Sequence, residues 1–149
     1  GDSFRDRDGA RRLEPRARER LFRIMATTRL TFIVGNHDRD AAADLGAEVA
    51  DEVEVDGLAF RHAADRSRPG PEVSGHFHPK VRLAGGGRTL LRRCFARFAD
   101  RLVLPAYGSL AGGLAVNAPA LAEALGGSPH ALVPTPAGLL CIRPEGLAA

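Results

Sequence analysis

The sequence predicts a layered α/β domain, and three observations lead there. At 149 residues, 44% hydrophobic and 26% charged, the chain has the size and composition of one globular domain. It opens with an Arg- and Glu-rich helical stretch that leads into a short β-branched apolar run. Many short strand signals separated by turn residues then fill the remainder, which favours sheet covered by few helices.

The elements follow in order. Gly9 to Thr27 reads as the first helix, with Leu13, Leu21, Phe22, Ile24 and Met25 as its apolar positions and Pro15 marking its firm start. Arg29 to Val34 is a buried strand ended by Gly35, and Asp40 to Leu45 supplies a helical turn or two. Glu48–Val55 and Leu58–His62 are consecutive strands around an Asp56-Gly57 turn. A loop rich in Arg, Pro and Gly spans Asp65 to Pro71, and Val73 to His78 reads as the end of a strand running into Pro79. Val81–Leu83 and Thr89–Phe95 form a hairpin across Gly85-Gly86-Gly87, a turn rather than a phosphate loop because no helix signal follows. Arg101–Leu104 is a strand. Pro119 to Leu125 is a short helix with Asn117 as its expected cap and Gly126-Gly127 as its stop. Ala131–Val133 and Gly138–Ile142 close the series as strands.

Composition narrows the function classes. No run approaches the ~18 apolar residues of a membrane helix. Cys94 and Cys141 lack metal-ligand spacing and sit in apolar stretches, so both are expected buried, as reduced thiols in a cytoplasmic protein. Of 21 basic residues, 20 are Arg, a residue whose planar fork grips two phosphate oxygens at once. Charge also alternates along the chain. Residues 1–29 carry nine Arg against five acids, residues 30–60 one Arg against eight acids, and residues 61–101 ten basic residues against three acids. Such clustering suits a polyanion, and a solvated surface accounts for it equally well.

Four of the five histidines fall where chemistry would want them. Gly35-Asn36-His37-Asp38 follows a strand, the place where α/β proteins present ligands. Asn36 offers an amide oxygen to a metal, His37 is a candidate proton donor, and Asp38 is placed to orient it. In Gly75-His76-Phe77-His78 the two imidazoles, two residues apart, would share one face of a strand while Phe77 points to the core. His62 ends an apolar strand, and Asp2 in Gly1-Asp2 supplies a carboxylate. Oxygen and imidazole donors without thiolate suit Mn, Fe or Zn rather than a structural Cys-type site. His130 has no nearby partner and is set aside as structural or exposed. Tyr107 and Gly108 follow a strand exit, where a site wall and a core or turn role are both open.

The order D…N-H-D…H…H-x-H resembles the calcineurin-like metallophosphoesterase superfamily, whose motifs run D-x-H, G-D, G-N-H-D/E, H and G-H-x-H. Gly1-Asp2, Gly35-Asn36-His37-Asp38, His62 and Gly75-His76-Phe77-His78 carry the likeness. It implies an α/β/β/α sandwich formed by residues 1–149 as a single domain. No D-x-H occurs, so the domain is expected to be N-terminally incomplete, lacking its first strand–loop–helix unit. By the resemblance, Asp2 bridges two divalent cations, Mn foremost, with Fe or Zn possible. Asn36, His62 and His76 bind the second cation and His78 the first. His37, assisted by Asp38, protonates the leaving group or stabilises the transition state.

Gly1-Asp2-Ser3-Phe4, Ser74 to Lys80, Arg92 to Phe95 and Leu104 to Leu114 further resemble the ligase-associated DNA damage response endonuclease family. Arg5 departs from the His which that family carries there. The likeness implies a DNA-repair nuclease or phosphodiesterase whose hydroxide, bridging two metals, attacks phosphorus. It also implies a nucleic-acid substrate and association with a DNA ligase, a helicase and an exonuclease. Arg61, Arg66, Arg68 and Arg82 lie beside the motifs and are the candidate phosphate contacts. Two alternatives stay open: a phosphomonoesterase or nucleotide phosphodiesterase acting on a small substrate, and an inactive scaffold of the same fold.

Overall fold

The computed structural model describes residues 1–109 and 111–147. Leu110, within the 104–114 stretch that carries the family likeness, lies outside the described residues. Helix α1 (Pro15–Thr27) begins at its proline, whose fixed φ and missing N–H suit a first helical turn. Residues preceding Pro15, from Gly9 on, form turns instead of a longer helix. Leu13 and Leu21 lean on Ala10, Leu45 and Ala41, the last within α2 (Arg39–Ala43).

Strand β1 (Thr31–Ile33) pairs in parallel with β2 (Glu48–Ala50) in a sheet of two. The single strand expected over 48–55 divides at Asp51. Its second part, β3 (Glu52–Val55), instead pairs antiparallel with β4 (Leu58–Arg61). Asp56 and Gly57 both take positive φ, as a two-residue hairpin turn requires.

Strand β5 (Glu72–Ser74) stops well short of His78, contrary to the extended reading of 73–78. The hairpin β6 (Lys80–Gly85) and β7 (Arg88–Arg93) turns at Gly86 and Gly87, both with positive φ. The run expected as one strand to Phe95 breaks at Cys94, whose N–H donates to the Pro79 carbonyl at 3.1 Å. There the chain leaves the hairpin and enters the central sheet as β8 (Phe95–Phe98), followed by β9 (Arg101–Val103).

Helix α3 (Pro119–Leu125) is preceded by Ala118 at the cap position, with extended φ and ψ, rather than by Asn117. Pro119 explains the difference, because a residue before proline is driven into the extended region. Gly126 closes the helix in the left-handed conformation, as expected. Strands β10 (His130–Thr135) and β11 (Gly138–Ile142) complete a seven-stranded sheet in the order β11-β10-β8-β9-β5-β4-β3. Neighbours are antiparallel except β4-β5 and β5-β9, which are parallel.

The architecture is therefore mixed α/β, with one large sheet, two small ones and few helices. Its main core gathers Val81, Cys94, Val103, Val116, Leu121 and Leu125. Burial pushes the Cys94 thiol up to about 12, so it stays protonated. Cys141 is exposed, contrary to expectation, because β11 is the edge strand. Among the described residues, no helix is long and apolar enough to cross a membrane.

Candidate metal centre

The site begins with a buried carboxylate on the loop after β1. Asp38, 1% exposed, accepts the Gly35 N–H at 2.8 Å through one oxygen. Its other oxygen accepts the amides of Ser3 and Phe4, at 2.5 and 3.4 Å. One side chain thus staples the 1–4 segment to the loop that leaves β1. The staple brings Asp2 against Gly35 so closely that a Cβ there would overlap both the Asp2 carboxylate and its backbone nitrogen. Asp2 Oδ1 in turn accepts the backbone N–H of His37 at 3.1 Å. Asp2 Oδ2 is left turned toward His62, 3.4 Å from Nε2.

The other candidate ligands arrive on the exits of β4 and β5. His62 follows β4, and its carbonyl accepts the Gly75 N–H at 2.8 Å, tying the two exits together. The Phe77 N–H then donates to the Gly75 carbonyl at 2.7 Å, which makes a γ-turn centred on His76. His76 has φ 63 and His78 φ 50. This is a strained hand for side chains with a Cβ, worth on the order of 1–3 kcal/mol each. The two imidazoles are therefore presented by a left-handed turn and not by one strand face. Phe77 does turn toward the main core, as its position implied.

This turn carries His76 Nδ1 to 2.9 Å from His62 Nε2. The Asn36 side-chain amide lies 3.5 Å from the same His76 nitrogen. Donor atoms of Asp2, His62 and His76 all fall within 4.8 Å of one another. Ligands bound at about 2.0–2.2 Å around one cation sit roughly 3–3.5 Å apart, and the His62–His76 and His62–Asp2 separations of 2.9 and 3.4 Å fall near that range. His62 is 8% exposed, and its Nδ1 is buried without a hydrogen-bond partner. Burial lowers the pKa of both His62 and His78, favouring the neutral imidazole that binds metals. The donor set suits one borderline divalent cation held by Asp2, His62 and His76, with Asn36 at its edge.

The remaining predicted residues are placed around this cluster. Asp2, His76 and His78 line a cleft of ≈ 560 Å³, while Asn36 and His62 face an adjoining recess. His78 stands in the cleft but outside the three converging donors. His37 is exposed beside Asp2. Arg61 is largely buried and paired with Glu52 at 3.2 Å and Glu72 at 3.1 Å. Arg68 is exposed and bonds Glu52 at 2.9 Å. Arg66 is exposed on the same loop, and Arg82 borders a separate recess beside Leu91 and Leu147.

Sequence reading passed over Glu72. Glu72, 2% exposed on β5, lies 3.1 Å from both Arg61 and Arg101, which are themselves mostly buried. Burial raises its pKa against the pull of the two arginines. A lone acid inside an apolar strand, with arginines on the flanking segments, was the available signal. Tyr107 lines the cleft and is fully exposed, which resolves its open position as a wall of the site.

The fold has a counterpart among solved structures. This chain is similar in structure to a nuclease. The crystal structure of nuclease MPE of Pseudomonas putida matches it with a TM-score of 0.62 and 25% sequence identity. The match covers 84% of this chain and 59% of that one, so this chain spans less than two thirds of the nuclease. No family model and no curated protein matches the sequence.

Proposed function

We propose that this chain carries the catalytic site of a metal-dependent nuclease of the calcineurin-like metallophosphoesterase type. The reading extends to an α/β/β/α domain over residues 1–149, two cations and a DNA-repair role. The observation that carries it is the convergence of Asp2, His62 and His76 at ligand spacing, within a chain similar to a nuclease.

Asp2, Asn36, His62 and His76 would hold one divalent cation, and Asp2 with His78 would contribute to a second. Bound there, Mn, Fe or Zn would supply Lewis acidity toward phosphoryl oxygens and acidify water. His37, exposed beside Asp2, holds the proton that the leaving oxygen takes. Asp38 acts on His37 through the backbone, since its oxygens bond the Ser3, Phe4 and Gly35 amides. Arg66 and Arg68, exposed on the loop after His62, offer guanidiniums to neighbouring phosphates. Arg61 is committed to Glu52 and Glu72 and supports the loop from beneath.

Two measurements test this together: Mn binding by calorimetry and Mn-dependent cleavage of a labelled single-stranded oligonucleotide. His62→Ala and His76→Ala are expected to lose both. His37→Ala should retain Mn binding while hydrolysis falls by about 10²–10⁴. Undiminished cleavage in His76→Ala and His37→Ala alike would remove the assignment.

A further inference from the structure

Arg101, buried on β9, holds more than the Glu72 carboxylate beside it. Its guanidinium reaches the loop between β4 and β5 and takes both ends of one turn there. One terminal nitrogen donates to the Asp65 carbonyl at 2.7 Å and lies 3.1 Å from Glu72, and the other donates to the Arg68 carbonyl. The turn is also closed from within. The Arg68 N–H donates to the Asp65 carbonyl at 3.1 Å. The Asp65 carboxylate accepts the Ser67 N–H at 2.9 Å and the Ser67 hydroxyl at 2.6 Å. A planar fork can span two carbonyls and a carboxylate at once, which a compact ammonium cannot.

What the turn carries is Arg68. Its exposed side chain lines, with Asn36 and His62, the recess of ≈ 490 Å³ beside the candidate cation site. Arg68 donates to Glu52 at 2.9 Å, and Glu52 is braced in turn by Arg61 at 3.2 Å. A guanidinium has five N–H donors, so one bond to Glu52 orients the group and leaves donors for an anion. A long exposed side chain ordinarily loses much rotamer freedom when it grips a ligand. Here the clamped backbone and the Glu52 bond have removed part of that freedom beforehand. Arg101 itself lines neither the recess nor the cleft, so it acts through the turn alone.

We infer that Arg101 is a positioning residue for substrate: by clamping the 65–68 turn it holds the Arg68 guanidinium ready for the phosphate next to the scissile one. The inference rests on the nuclease reading and adds to it a buried residue outside the motifs. A chain whose phosphate sits at the candidate ligands places its next phosphate along an opening beside them. The recess that Asn36 and His62 share with Arg68 is such an opening. Arg101 and Arg68 then form one unit, and the loss of either should make the other matter less.

The test is a double-mutant cycle read in Mn-dependent cleavage of a labelled oligonucleotide, beside amide hydrogen exchange and Mn calorimetry. Arg68→Ala is expected to raise KM by roughly ten- to a hundredfold while kcat falls far less, as the loss of a charged hydrogen bond to a remote phosphate requires. Arg101→Lys keeps a charge opposite Glu72 but cannot span both carbonyls. It should raise KM in the same sense and speed exchange of the Arg68 amide. Arg101→Gln should do both more strongly, and Arg101→Lys decides the matter where the glutamine variant fails to fold. Arg68→Ala combined with Arg101→Lys should show the KM of Arg68→Ala alone, since the clamp then has nothing to aim. Mn affinity should keep its wild-type value throughout. KM effects that multiply in the double variant, or an unchanged KM in Arg101→Lys, overturn the positioning role and leave the nuclease reading standing. A loss of Mn affinity or of kcat that matches the rise in KM overturns it too, because Arg101 then supports the metal site. Failure of the wild-type protein to cleave the oligonucleotide overturns the inference and the nuclease reading together.

Discussion

Strands β4, β5 and β9 run only three or four residues and bury Glu72, Arg101 and Ser74 beside Ala59 and Val103, whereas β10 runs six residues and buries Ala131 and Val133 against an exposed five-residue edge strand, β11. Of these, β4 and β5 end at the loops that carry His62 and His76. Beside the little apolar area the three short strands bury, a buried charge cluster ties them together. Arg61 and Arg101 converge on Glu72, and Arg101 also donates to the carbonyls of Asp65 and Arg68. At the far end, long antiparallel pairing sets the register, and the edge strand leaves Leu139 and Leu140 exposed. Placement of ligands is thus entrusted to polar contacts, and bulk stability to ordinary packing.

Removing the central carboxylate should break the contrast most severely. Glu72→Ala leaves the buried Arg101 with backbone carbonyls alone and Arg61 with Glu52 alone, and is expected to cost about 3–5 kcal/mol in urea unfolding. Replacing Arg61, Glu72 and Arg101 together by apolar residues should recover much of that loss in the same assay, since no buried charge then remains. Asp38→Asn comes next. It removes one of two acceptor oxygens from three amides, and a loss of about 1–3 kcal/mol is expected, with weaker Mn binding in calorimetry.

The third expectation concerns pH. His62 and His78 have folded pKa values below the ordinary 6.5 because burial disfavours the imidazolium. Their depressed pKa values contribute stability above about 6.5 that is lost as pH falls through the folded values. The urea midpoint of metal-free protein should therefore drop on acidification below that point, and a flat profile through that window would contradict it. The smallest effect belongs to the apolar surface, where Leu91→Lys should shift stability by no more than about 0.5 kcal/mol. A large loss there would show that the exposed hairpin face is packed against something.

Local signals carried much of this into view. Pro15 set the start of α1, Gly126 the end of α3, and the β6–β7 hairpin lay open in its glycines. The candidate ligands Asp2, His62 and His76 were legible as residue types, because oxygen and imidazole donors at strand exits are a recognisable pattern. Long-range choices were not. Nothing in the alternation of Glu48–Val55 says that Asp51 separates two sheets, since both parts are equally good strands. Cys94 interrupts an apolar run without a turn residue, so β8 merges into β7 on reading. The left-handed turn at His76 was hidden for a related reason. Histidine rarely adopts positive φ, and only the ties from Gly75 to His62 and from Leu104 and Leu114 to Ser74 and Phe77 impose it.

The distance in sequence between the three donors has a mechanical consequence. A cation shared by Asp2, His62 and His76 would be a removable crosslink, closing two loops of chain with one ligand. Its grip exists only when the whole sheet between those residues is formed, so its binding free energy adds to folding. Raising free cation a hundredfold above its Kd would then stabilise the native state by about 2.7 kcal/mol. The thermal midpoint becomes a gauge of metal supply, and a cell short of the ion would hold this protein closer to unfolding.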